Sequence, residues 1–95
     1  MLNIGKNADG SFQVKFSVKA APGSVVGVAG SFNDWDPEQA PMTSCGEGIF
    51  QTELQLASGY YEYKFVVGNQ WLLDDGNPNF SANDFGTLNS FFILE

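Results

Sequence analysis

The chain has 95 residues, with eleven acidic side chains against four lysines, no arginine, no histidine and a net charge of −7. That balance argues against nucleic acid, whose phosphates demand basic stripes, and against anionic membrane surfaces; neutral ligands and protein partners remain open. No run approaches the roughly 18 consecutive apolar residues of a membrane span, and the lone Cys45 cannot close an internal disulfide.

Nine Phe, three Tyr and two Trp beside eleven Gly and four Pro favour pleated, half-buried surfaces joined by turns, hence an all-β chain. Residues 1–9 are polar and unpatterned, a loose lead-in or a short edge strand, and show no basic region followed by an apolar one as a signal peptide would. Phe12, Val14, Phe16 and Val18 alternate with Gln13, Lys15, Ser17 and Lys19, the mark of a half-buried strand. A Pro-Gly corner follows, then a short apolar run through Val25, Val26 and Val28 that predicts a buried central strand. Gly30 to Pro37 is dense in turn formers yet holds Phe32 and Trp35. Met42 can reach the core from an unpatterned stretch. Residues 49–56 set Phe50, Thr52, Leu54 and Leu56 on one face.

From Gly59 the chain alternates again, Tyr61, Tyr63, Phe65 and Val67 against Tyr60, Glu62, Lys64 and Val66, up to a two-residue hairpin turn at Gly68-Asn69. This register sets Val66 opposite Trp71 and Lys64 opposite Leu73. Lys64 and Trp71 then share one face as diagonal neighbours, while Phe65 and Leu72 turn to the core. Residues 74–84 read as a polar loop with solvated carboxylates, and 87–94 as the closing strand, on which Thr87 and Asn89 point together. About seven strands with turns at this spacing predict two sheets packed face to face, a single domain over residues 1–95 with its core in 12–94.

Nucleophilic catalysis has no histidine and no Gly-x-Ser-x-Gly elbow to work with, and Cys45 has no partner. Zinc lacks ligands, and Asp34-x-Asp36 and Asp74-Asp75-Gly76-Asn77 lack the ligand series and closing Glu of a calcium loop. Carboxylate pairs exist, but a sandwich this small has little room for a cleft that would raise the pKa of one of them. The expectation is no enzyme, no metal and no cofactor. Stacking of sugar C–H faces on flat rings, with hydroxyls reaching amides and ammonium groups, suits Trp35, Trp71, Lys64, Thr87 and Asn89. Core packing explains either Trp taken alone; the hairpin register tips Trp71 toward exposure, and the Asn-Asp-x-Asp-Pro surroundings tip Trp35 the same way.

Three motifs, Gly30-Ser31-Phe32-Asn33-Asp34-Trp35, Tyr63-Lys64-Phe65-Val66 with Trp71 after it, and Phe85-Gly86-Thr87-Leu88-Asn89, together resemble carbohydrate-binding module family 48. That family includes the glycogen-binding domain of AMP-activated protein kinase β subunits and the N-terminal modules of isoamylases and branching enzymes. The resemblance covers residues 12 to 94. It implies an immunoglobulin-like, early-set β-sandwich that binds α-1,4-glucan without catalysis. It further implies that Trp35 and Trp71 stack on sugar and that Lys64, Thr87 and Asn89 hydrogen-bond its hydroxyls. Phe85 stands where kinase-type domains carry a leucine that reaches into or over the glucan. The partners it implies are an α-glucan and an associated glucan-metabolising enzyme; the charge balance already speaks against nucleic acid and membrane. The competing reading is a structural or protein–protein module whose aromatic face packs on a partner. The chain reads as cytoplasmic, either a small protein working with a partner enzyme or a piece of a larger one.

Overall fold

The computed structural model describes residues 1–95 as nine strands and one 3₁₀ turn. The strands are β1 (Leu2–Lys6), β2 (Phe12–Lys19), β3 (Val26–Gly30), β4 (Thr43–Ser44), β5 (Ile49–Leu56), β6 (Gly59–Val67), β7 (Gln70–Leu72), β8 (Phe80–Ala82) and β9 (Leu88–Leu94); the 3₁₀ turn is Pro37–Gln39. One sheet runs β1-β2-β5-β4 and the other β3-β6-β9-β8, with β7 also on β6, and every pairing is antiparallel. The face-to-face sandwich expected from the pattern, immunoglobulin-like as the resemblance implies, is the fold. Its strand count exceeds seven because the two-residue β4 and the three-residue β8 form where the sequence shows no alternation. No helix is long and apolar enough to cross a membrane.

The alternating faces meet as the pattern requires. Phe12, Val14 and Phe16 of β2 and Phe50 of β5 face Val26, Val28, Tyr63, Phe65, Phe92 and Leu94 of the other sheet, and Met42 and Ala40 close the same core. Aromatic rings knit it together. Phe16 meets Tyr63 edge-on at 5.3 Å and Tyr61 stacks on Phe92 at 5.4 Å, arrangements favoured by the ring quadrupole. Phe92, not Phe91, is the buried member of that pair. The free edge of β3 is closed by the 37–42 segment, whose Ala40 carbonyl accepts from Val28 N–H at 3.1 Å and whose Met42 N–H donates to the Val26 carbonyl at 2.8 Å.

Three apolar or acidic positions depart from expectation. Val25 is exposed, because β3 begins one residue later. Leu72 is 38% exposed instead of buried. It lies opposite Phe65 on the inner face, but it projects at an open end of the sandwich beside Met1, Val18 and Ile49. Asp74, expected in a solvated loop, is 3% exposed. It accepts a 2.6 Å hydrogen bond from the Tyr63 hydroxyl, its backbone N–H donates to Ser90 Oγ at 3.0 Å, and the Met1 amino nitrogen donates to Oδ1 at 2.7 Å. Asn77, also buried, donates to the Tyr63 hydroxyl at 3.1 Å and to the Phe91 carbonyl at 2.9 Å. Every buried polar atom here has a partner, which is what makes burying a carboxylate tolerable.

Burial above all, and the adjacent Asp74 carboxylate next, push the Tyr63 phenol well above its ordinary 10.0. The folded state therefore keeps a proton that the unfolded chain releases, and stability falls as pH rises past about 10. Tyr63→Phe takes the partner from Asp74 Oδ2 and from one Asn77 N–H, and is expected to cost about 1–3 kcal/mol in urea unfolding at neutral pH. Its stability should also decline more shallowly than wild type between about pH 10 and about pH 11.5, by one proton's worth of slope.

Candidate functional site

Strand β6 changes partner halfway along. On one side it pairs with β3 over 63–67; on the other it pairs with β9 over 59–63 and with β7 over 65–67. Lys64 falls in the gap between those two ladders. Val66 lies opposite Trp71 as expected, and is buried although it points away from the core, while Trp71 is itself 46% exposed. The expected pairing of Lys64 with Leu73 does not form. The chain leaves β6 after Leu72, since Asp74 turns inward to Tyr63, and that opening admits β9. The hairpin itself is a primed turn with positive φ at Gly68 alone (59°), the pattern of a type II′ turn with Gly at its first central position.

Trp35 is brought to the same face by a strained loop. Gly30 N–H donates to Asn33 Oδ1 at 2.9 Å, Asn33 Nδ2 reaches back to the Val28 carbonyl at 3.0 Å, and Trp35 N–H donates to the Gly30 carbonyl at 2.9 Å. Under that clamp Asp34 and Trp35 both adopt left-handed φ, 56° and 61°, at roughly 1–2 kcal/mol each for L-residues. A Cβ at Gly30 would meet the Glu62 carbonyl and the Phe32 ring at 2.5 Å. The loop therefore needs glycine there, with Phe32 packed against the core as its anchor.

The third wall is the loop between β8 and β9. Asn83 organises it: Oδ1 accepts from Phe85 N–H (3.0 Å) and Thr87 N–H (3.1 Å), and Nδ2 donates to Thr87 Oγ1 (2.7 Å) and Asn89 Oδ1 (2.9 Å). Gly86 closes the turn at φ 79°. Lys64 Nζ donates to Thr87 Oγ1 at 3.1 Å, tying the loop to β6. Asn89 is buried and donates to Glu62 Oε1 at 3.0 Å. Its amide is thus partly committed to protein. Phe85 stands 91% exposed at the loop tip.

All six expected residues, Trp35, Lys64, Trp71, Phe85, Thr87 and Asn89, border one open groove of about 590 Å³, together with Glu62 and Asn83. Neither of the last two was anticipated. Glu62 reads as the polar half of an alternating strand, and Asn83 as an ordinary turn residue; the one available signal was an Asn four residues before a Thr across a Gly. The groove offers flat rings, the Lys64 ammonium, the hydroxyls of Ser31 and Thr87, the amides of Asn83 and Asn89, and the carboxylates of Glu62 and Asp84. A second hollow of about 510 Å³ is bordered by Met1, Val18, Ile49 and Leu72, on the opposite face of β7 from Trp71. It has no aromatic ring, so it cannot offer the same contacts.

The family model described as "Glycogen recognition site of AMP-activated protein kinase" matches residues 12–95. Protein PTST homolog 2, chloroplastic, from Arabidopsis thaliana is 40% identical over 71 residues, covering 75% of this chain and 13% of that protein. The 5'-AMP-activated protein kinase subunit beta-1 of Sus scrofa is 35% identical over 73 residues, covering 77% of this chain and 57% of the relative. This chain therefore spans well under two thirds of either relative. Among solved structures, the maltogenic amylase from S. marinus superposes with a TM-score of 0.82 at 19% identity, over 100% of this chain and 16% of that one, a likeness of fold.

Asn83→Ala removes four hydrogen bonds that hold the loop and none that hold the core. The amides of Phe85 and Thr87 should then exchange with solvent about tenfold faster, while the urea midpoint shifts by no more than about 1 kcal/mol equivalent. Hydrogen exchange read by NMR checks both.

Proposed function

This chain belongs to the family of the glycogen recognition site of AMP-activated protein kinase, and on that footing we propose that it is a non-catalytic, α-1,4-glucan-binding domain spanning residues 1–95. The observation that carries the reading is the convergence of Trp35, Trp71 and Phe85 on one open groove floored by Lys64, Thr87 and Asn89. A pyranose presents apolar C–H faces to the indoles and equatorial hydroxyls to the rim. The Lys64 ammonium has two donors beyond its bond to Thr87. Asn89 has a spare N–H, and the Thr87 oxygen, which already accepts two bonds, has its own hydrogen to give.

The groove is shallow and the contacts few, so each site binds weakly and the useful effect is local concentration. A kinase or glucan-metabolising enzyme joined to this domain, or associated with it, is held at the polymer surface. The free Cys45 thiol, exposed and unpaired, suits a reducing compartment such as the cytoplasm.

Trp71→Ala should abolish retention on glycogen or β-cyclodextrin resin while far-UV circular dichroism still reports a folded sandwich. Lys64→Ala should weaken maltoheptaose binding about tenfold, the worth of one charge-assisted hydrogen bond, with little loss of stability. Wild-type tryptophan fluorescence that stays flat through millimolar maltoheptaose would falsify the reading.

A further inference from the structure

The groove does not end the aromatic surface. Its floor includes Glu62 on β6 and Asn89 on β9. The next outward-facing positions along those two strands, about 7 Å on, are Tyr60 and Phe91. Glu62 pairs directly with Phe91 and Tyr60 with Ile93, so the outward faces form one continuous strip. Tyr60 is 51% exposed and Ile93 54%; Phe91 is half-buried. The Tyr60 and Phe91 rings lie 5.4 Å apart at 34°, a pair of tilted rings on an otherwise uncovered sheet face.

We propose that Tyr60 and Phe91 form a second stacking platform for the same glucan, beyond the groove, so that the site engages a chain longer than the groove alone can hold. This rests on the α-glucan reading of the groove. Continuity is one argument: Glu62 and Asn89, hydrogen-bonded to each other at 3.0 Å, belong to the groove and adjoin the platform, leaving no wall between them. The chemistry of the strip is the second. Desolvation first and the Glu62 carboxylate second raise the Tyr60 phenol; Glu62 shares the outward face of β6 with Tyr60, so a carboxylate stands beside the two rings. Sugar hydroxyls can donate to the Glu62 oxygens while C–H faces cover the rings. A dry protein interface over the same strip would have to bury the Glu62 carboxylate, which is costly unless it is paired.

Calorimetric titration of maltotriose and maltoheptaose into wild type, Tyr60→Thr and Tyr60→Phe tests the idea; threonine removes the ring and keeps a strand-forming residue. Wild type should bind the heptaose more tightly than the triose. Tyr60→Thr should lose about fivefold to tenfold for the heptaose and less than about twofold for the triose, with Tyr60→Phe close to wild type at both lengths. Equal affinities for Tyr60→Thr and wild type at both lengths would overturn the proposal, and are what a platform reserved for a protein partner would give. An equal loss at both lengths would also overturn it, since Tyr60 would then act on the groove through Glu62. If wild type binds neither sugar, the groove reading itself fails, a result distinct from either of those.

Discussion

The hydrogen bond from the Tyr63 hydroxyl to Asp74, 2.6 Å long inside the core, is the constraint on which the rest of the surface depends. Without it, β7 would have reason to continue antiparallel to β6 past Leu72, and Lys64 would acquire the cross-strand partner that the hairpin register assigns it. With it, the chain turns inward at Asp74, and Ser90 of β9, which lies opposite Tyr63, takes the Asp74 amide as donor. One buried carboxylate thus fixes where β7 leaves and where β9 enters. A paired buried charge is weak as a source of stability, but it specifies geometry sharply, because every alternative leaves a polar group unsatisfied.

The site above that junction is built by opposing demands. Trp71 and Phe85 keep much apolar surface in water, at a cost of about 25 cal/mol for each Å² that burial would have removed. Asp34 and Trp35 hold left-handed backbone. These are held in place by short polar clamps, Asn33 on one loop and Asn83 on the other, each of which spends its amide on backbone or neighbouring side chains. Rings fixed before the ligand arrives lose little freedom when it does. For a site with few contacts, such preorganisation decides whether binding is measurable at all.

Much of this was legible in the sequence, and the rest was not for definite reasons. Alternation located β2, β5 and β6, and the Gly68-Asn69 turn set the register that placed Lys64 and Trp71 on one face. The same period turned Phe65 to the core, while the closing strand, apolar on both faces at Phe91 and Phe92, does not show by alternation which of the two is buried. Leu72 was misassigned because alternation tells which face a residue takes, not whether the opposite sheet extends far enough to cover it. Asp74 was misassigned because an acidic pair in a Gly-Asn-Pro stretch looks solvated; only the tertiary partner, a tyrosine eleven residues earlier, makes its burial tolerable. Asn83 and Glu62 escaped because their work is to position other side chains, and neither a hydropathy period nor a turn propensity records that.

The distribution of perturbed groups bears on what the groove is for. The large displacement falls on Tyr63, driven by burial and by Asp74, and Tyr63 lies in the core among Phe16, Phe65 and Phe92. That is a structural use of a shifted phenol, remote from any sugar that rests on Trp35 and Trp71. The groove has two carboxylates, Asp84 and Glu62, and Glu62 serves as acceptor for Asn89. A 95-residue sandwich can bury one polar cluster well. This one places that cluster on the inner face of the sheet whose outer face carries the groove, and so holds the surface above it in one geometry.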